Sequence, residues 1–175
     1  DPEGIVRAAF RNIGSGKTLQ GGSTITQQLV RNLYISPERT FARKIKEAKL
    51  AEELESKHSK RWILDTYLNS VSYGTVGGQS AVGLQAASRL FFDKPAHRLT
   101  LDEAALLAGL PQAPSRYNPF LEPKLARARR NDVLNEMIKQ KMVPATVGVK
   151  AMQRPLGVRP NSYYTTKREN YFFDY

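Results

Sequence analysis

Apolar residues recur at helical spacing along most of this chain. Ile5, Val6, Ala9 and Phe10 give one side to a first helix that Asp1 caps and Pro2 opens. A polar stretch holding Gly14, Gly16, Gly21 and Gly22 then reads as a loop. Over 23–33, Ile25, Leu29 and Leu33 repeat at i, i+4, i+8 and predict an apolar stripe, while Ser23, Gln27 and Arg31 repeat with the same spacing on a polar one. Ser36-Pro37-Glu38 opens a longer helix over 36–55, with Phe41, Ile45, Ala48, Ala51 and Leu54 inward. Another covers 59–68, with Ile63, Leu64, Tyr67 and Leu68 as core, and Trp62 counted with them. The glycine-rich stretch 71–83 reads as a loop, followed by a short helix over 84–91. Thr100 to Glu103 spells a capping box ahead of a buried Ala/Leu helix that Pro111 and Pro114 end. A long basic helix over 123–142 and a weaker one over 144–152 follow, then an aromatic tail. No segment before the tail alternates clearly with a period of two, so the pattern predicts a mainly α fold.

Composition narrows the partner. The 175 residues suffice for one domain with a real core. Lys and Arg number 27 against 16 Asp and Glu, a formal net charge of +11, which favours an anionic partner: nucleic acid, an acidic membrane surface or a phosphorylated substrate. There is no cysteine, so no disulfide or thiolate metal site. His58 and His97 stand alone without metal-ligand spacing. No run reaches the roughly 18 to 20 apolar residues of a spanning helix, and no signal peptide opens the chain.

The chemistry-bearing residues cluster in two stretches. Residues 21–29, GGSTITQQL, lead from two glycines into a helix rich in neutral hydrogen-bonding side chains. Ser23 can cap it, Thr24 equally so, and the first free N–H groups favour an anion. Farther on, Glu47 shares a helix face with Arg43 and Arg39, at i−4 and i−8. Spacing alone reads Arg43 and Glu47 as a surface ion pair, worth a few tenths of a kcal/mol; the sharper reading is a functional carboxylate set in a basic strip. The basic run 124–130 is most simply a solvated helix face, with membrane-surface contact as the lesser reading.

GGSTITQQL resembles the GGSTxTQQL signature of the peptidoglycan glycosyltransferases, the glycan-polymerising module of bifunctional class A penicillin-binding proteins and of monofunctional transglycosylases. Three further elements follow in the family's order. RKIKEA at 43–48 resembles RKxxEA, and 60–69 closing at Tyr73-Gly74 resembles KxxILxxYLNxxxxG. Residues 87–94 and 101–119, the latter LDEAALLAGLPQAPSRYNP, resemble the last motif. The family's EDxxFxxHxG motif, whose glutamate is its general base, is not in this sequence; in the family it lies just ahead of the segment resembling 1–7.

The resemblance implies a lysozyme-like helical fold with a larger head lobe and a smaller membrane-proximal jaw lobe. It implies a glycosyltransferase domain over 1–160 and an aromatic linker over 161–175 toward a transpeptidase domain. By the same resemblance the chain reads as an excised part of a protein anchored by an N-terminal transmembrane helix at the outer face of the bacterial cytoplasmic membrane. The implied reaction joins a lipid-linked growing glycan chain to lipid II, forming a β-1,4 bond with inversion and releasing undecaprenyl pyrophosphate. Glu47 takes the place of the family's second active-site carboxylate. Arg7, Phe10, Ser23, Thr24, Gln27, Gln28, Arg31, Arg39, Arg43 and Lys46 match its substrate-contacting positions. Arg31 stands where lysine is common, exchanging a point charge for a planar fork. Asn69, Tyr73 and Gly74 are expected to brace the cleft. A divalent cation, magnesium or manganese, at the substrate pyrophosphate is left open, with no protein cage for it in the sequence. The rival readings are a lysozyme or lytic transglycosylase cleaving the same bond and a basic helical nucleic-acid-binding domain; the signature helix argues against both, and no nucleic-acid partner is expected.

Overall fold

The computed structural model describes residues 24–34 and 41–159, the side chains of the second segment from Arg43 onward. Predictions for 1–23, for the start of the second helix at 36–40 and for the tail from 160 lie outside the described residues.

Helix α1 spans Ile25–Tyr34. Its cap is Thr24: the Gln27 N–H donates to Thr24 Oγ1 at 3.1 Å, and the Thr24 N–H donates back to Gln27 Oε1 at 3.3 Å. The buried face is Thr26, Leu29 and Val30, at i, i+3, i+4. Ile25 and Leu33 remain 44% and 43% exposed, which corrects the predicted Ile25–Leu29–Leu33 stripe. The stripe is rotated because α1 packs against two helices at once, α2 (Phe41–Lys57) and α3 (Lys60–Ser70). Thr26 is buried with its hydroxyl donating to Glu55 at 2.5 Å, so a polar residue sits inward without an unmet hydrogen bond.

Along α2, Ala51 is buried as predicted, Ile45, Ala48 and Leu54 are half-buried, and Glu47 is buried with them. Helix α3 starts at Ser59, whose Oγ accepts from the Trp62 N–H at 3.2 Å. It buries Ile63 and Tyr67, whereas Trp62 and Leu64 are 41% and 44% exposed, against the prediction that both are core. Trp62 instead stacks on His58, ring centroids 3.7 Å apart, and so covers part of its own surface locally.

The segment read as a loop over 71–83 is an antiparallel hairpin of β1 (Ser72–Val76) and β2 (Gln79–Val82). Gly77 and Gly78 turn it with φ of 56° and 79°, the conformation a two-residue primed turn demands. The alternation that would have revealed β1 is broken by an irregularity between Ser72 and Thr75, where the register runs 72↔82 and then 75↔80. The extra residue on β1 makes a bulge, and Tyr73 and Gly74 are buried consecutively.

Helix α4 (Leu84–Phe92) runs beneath the hairpin and buries Ala87, Ser88, Leu90, Phe91 and Phe92. Helix α5 (Leu101–Gly109) begins with the predicted capping box, Glu103 Oε2 accepting the Thr100 N–H at 2.8 Å. A 3-10 turn over Leu110–Gln112 carries its end into the Pro114 turn. Helix α6 (Pro123–Lys139) packs along α5, and α7 (Ala145–Gln153) packs on α6. The main core gathers Leu29, Ile63, Tyr67, Tyr73, Phe91, Leu106, Leu107 and Leu110 from five elements and the turn, while Ala105, Leu134 and Ala151 form a smaller one between α5, α6 and α7. The mainly helical reading holds; the hairpin is the addition.

Candidate active-site cleft

An open cleft of about 750 Å³ lies where α1, α3, β1, the 110–112 turn and α6 meet. Its polar lining includes Gln28, Arg31, Asn32, Tyr67, Gln112 and Arg129; Leu64, Leu68, Pro111 and Pro114 supply apolar wall. The signature helix therefore does present a polar face to a cleft, on Gln28, Arg31 and Asn32. Gln27 points elsewhere and uses its amide oxygen in the cap. Thr24 likewise serves as the cap rather than as cleft lining.

The cleft floor is tied together by buried side chains. Tyr67 Oη donates to Gln28 Oε1 at 3.1 Å, orienting the amide. Burial pushes the Tyr67 phenol above its ordinary range, opposed in part by the Arg31 guanidinium. Tyr73 is 1% exposed and donates to the Leu68 carbonyl at 3.3 Å, tying the end of α3 to the hairpin, and burial raises its phenol as well. Gly74 abuts Pro114, and Asn69 bonds back to the Asp65 carbonyl. Tyr73 and Gly74 thus have the bracing place expected of them. The Asn69 side chain bonds within its own helix.

Sequence reading missed Arg129. It belongs to the run 124–130 predicted as a solvated face, yet its Nε donates to the Gly109 carbonyl at 3.2 Å and its side chain lines the same cleft as Arg31. Arg130, in the same run, is 1% exposed. Lys124 and Arg127 are exposed, though Arg127 Nη2 also reaches the carbonyls of Gln153 at 3.4 Å and Arg154 at 3.5 Å. The run overlooked its own helical phase: 126, 130 and 134 form a buried stripe, and 129 lies beside it.

Glu47 is not a surface pair member. It is 1% exposed, with Oε2 2.8 Å from Lys44 Nζ and Oε1 3.3 Å from Arg43 Nε. Nearly complete burial of a carboxylate requires such partners, because an unpaired buried charge is far more costly than either alternative. Glu47 does not line the 750 Å³ cleft, and Lys46 is exposed on the adjoining face of α2. The structure therefore gathers Gln28 and Arg31 in one place and Arg43 and Glu47 in another; Arg7, Phe10, Ser23 and Arg39 lie outside the described residues. No group of three or more His, Asp or Glu among the described residues could hold a metal ion. Nor is any described helix long and apolar enough to cross a membrane.

A family model described as transglycosylase matches residues 1–138. The chain is 45% identical to penicillin-binding protein 1A of Aquifex aeolicus over 99% of its own length and 23% of that protein. It is 42% identical to penicillin-binding protein 1B of Haemophilus influenzae over 95% of its length and 21% of that protein. The solved structure of penicillin-binding protein 1A from Haemophilus influenzae shares the fold with a TM-score of 0.50 at 24% identity, over 82% of this chain and 18% of that one. The chain thus spans less than a quarter of the length of these relatives. With four motifs in order, the signature helix facing a cleft and a family match over most of its residues, the chain belongs to the transglycosylase family, the peptidoglycan glycosyltransferases that its motifs resemble.

Proposed function

We propose that this domain polymerises lipid II within a longer, bifunctional penicillin-binding protein. The 4-hydroxyl of a lipid II GlcNAc attacks C1 of the MurNAc at the reducing end of the lipid-linked growing chain. The new β-1,4 bond forms with inversion, the C1–O bond to undecaprenyl pyrophosphate breaks, and the hydroxyl proton passes to a base. In the family that base is the glutamate of EDxxFxxHxG, a motif this sequence does not contain.

The observation that carries the reading is the pair of guanidiniums, Arg31 and Arg129, lining a cleft built on the signature helix. A departing pyrophosphate gains charge at its bridging oxygen, and cations fixed by the fold stabilise it without reorganising. Arginine forks suit phosphate oxygens. Gln28, held by Tyr67, is placed to orient sugar or amide groups. By analogy with the family Glu47 is the second carboxylate, and outside the cleft it holds Arg43 and Lys44 of the basic strip of α2. Lys46, exposed on the same helix, and Arg7, Phe10, Ser23 and Arg39 complete the substrate contacts by analogy with the family. The described side chains do not fit a protein-held cation, since no carboxylate or imidazole lines the cleft and two of its polar groups are guanidiniums; a magnesium or manganese ion would travel on the pyrophosphate oxygens as part of the substrate. The parent protein is placed by the same analogy at the outer face of the cytoplasmic membrane, with the basic surface toward lipid headgroups and a transpeptidase domain beyond the tail.

The test is lipid II polymerisation by the full-length protein carrying this chain, with products sized on a gel. Arg31→Gln should slow strand synthesis about tenfold or more, the equivalent of one charge-assisted hydrogen bond. Arg31→Lys should be milder, and Lys124→Gln, which removes the same charge outside the cleft, should leave the rate near wild type. Equal losses for Arg31→Gln and Lys124→Gln would mean general charge attraction, and muropeptide fragments in place of strands would mean a cleaving enzyme.

A further inference from the structure

Arg130 is among the largest fully buried side chains of the described residues, and its burial serves no part of the reaction above. Every N–H of its guanidinium is spent inside the molecule. Nη1 donates to the carbonyls of Arg154 at 2.9 Å and Pro155 at 3.3 Å. Nη2 donates to the Met152 carbonyl at 2.7 Å and to Asn131 Oδ1 at 3.0 Å, and Nε reaches the same Asn131 oxygen at 3.1 Å. Among the described residues no carboxylate lies within ion-pair distance of it. Its counter-charge is the carbonyl end of α7, where a helix favours a cation.

Those carbonyls belong to a segment that is pinned elsewhere. Arg154 Nη1 lies 3.0 Å from Asp102 Oδ1 in the first turn of α5. The Arg159 N–H donates to the Phe91 carbonyl at 2.8 Å, and Leu156 and Val158 pack against the main core. Residues 153–159 are thus a strap across α4, α5 and α6.

Arg129, one residue earlier on α6, faces the other way. Neighbouring helical residues diverge by about 100° around the axis, so a helix that sends Arg130 into the strap sends Arg129 toward α5. There it bonds the Gly109 carbonyl, lies 5.9 Å from the Tyr117 ring centroid and lines the cleft. Turning α6 far enough to move Arg129 would stretch the three bonds Arg130 makes to the carbonyls of Met152, Arg154 and Pro155, while Asn131, on the same helix, would turn with it. We infer that Arg130 is a positioning residue: gripping the strap, it fixes the rotation of α6 and thereby holds Arg129 at the cleft. Substrate affinity then depends on how the chain leaves the domain. The inference rests on the proposed reading of the cleft as a pyrophosphate site. Lysine cannot substitute, because three donors on one nitrogen do not span three carbonyls and Asn131.

Lipid II kinetics on the full-length protein test this. Arg130→Lys should raise KM about tenfold, matching Arg129→Gln, with a smaller change in kcat. Asn131→Ala, which spares both guanidiniums and the strap carbonyls, should raise KM less and in the same direction. Combining Arg130→Lys with Arg129→Gln should add nothing, while combining it with Arg31→Gln should multiply the losses. If Arg130→Lys does not fold, the cycle of Asn131→Ala with Arg129→Gln gives the same reading. A lower Tm with KM unchanged, or losses from Arg130→Lys and Arg129→Gln that multiply, would make Arg130 a structural residue only. If Arg129→Gln alone leaves KM unchanged, the cleft reading itself falls and takes this inference with it.

Discussion

Glu47 shows how a single residue changes meaning between sequence and fold. Its spacing from Arg43 is that of a solvated helix pair; its 1% exposure makes it a buried carboxylate between two cations. Glu47→Gln should therefore affect both stability and activity. Replacing the charged acceptor by a neutral amide weakens the hydrogen bond from Lys44 and the pairing with Arg43, a cost of about 1 to 3 kcal/mol visible as a lower Tm. If Glu47 is also the second active-site carboxylate, polymerisation measured well below that Tm should fall more than the unfolded fraction explains, by over about tenfold, or 1.4 kcal/mol of barrier. Activity that tracks the folded fraction alone would leave Glu47 a purely structural ion-pair centre. Arg129 and Arg130 make the complementary point. Adjacent in sequence and alike in type, they differ in role because the helix turns between them.

At the scale of elements, the hairpin decides the shape of the cleft, and a close approach of two backbones places it. Gly83 joins β2 to α4 with φ of +84°, and a Cβ there would stand 2.8 Å from the Asn69 carbonyl oxygen at the end of α3. Gly83→Ala should cost about 2 to 4 kcal/mol, combining left-handed strain with overpacking against backbone that cannot yield. Gly78→Asn should be tolerated, because asparagine accepts the primed-turn conformation. Chemical denaturation of the two variants checks the contrast; equal, small losses would mean that the α3–α4 junction relaxes freely. The helices themselves were legible. Ser59, Thr100 and Pro123 announce their starts, and the observed α4 and α5 lie within a residue or two of expectation. The hairpin was not, because its bulge buries Tyr73 and Gly74 side by side and erases the period of two.

For the molecule as a whole, the two phenols in the core set an alkaline limit. Burial raises both Tyr67 and Tyr73 above the 10.0 of a free tyrosine. The unfolded chain therefore loses these protons first as pH rises. The stability they contribute is complete below about pH 10 and is lost as pH climbs from there toward the native values. Melting temperatures followed from neutral pH to about 11 should fall steeply at the alkaline end, and Tyr67→Phe together with Tyr73→Phe should flatten that fall. An unchanged slope in the double variant would assign the alkaline loss to lysines instead.

The sequence by itself determined the mainly helical fold, the family and the identity of the signature helix, because capping residues, helical periodicity and motif order are local properties written in consecutive positions. Tertiary structure decided which face of each helix is inward. Ile25, Leu33, Trp62 and Leu64 are apolar enough for a core and remain half exposed, while Thr26, Glu47 and Arg130 are buried. Periodicity gives a helix its stripe but not its rotation about its own axis; neighbours fix that. Buried polar side chains need partners distant in sequence, as Thr26 needs Glu55 and Arg130 needs Met152 and Arg154. Such pairings exist only once the chain has folded, so the lining of the cleft, Arg129 above all, was settled there.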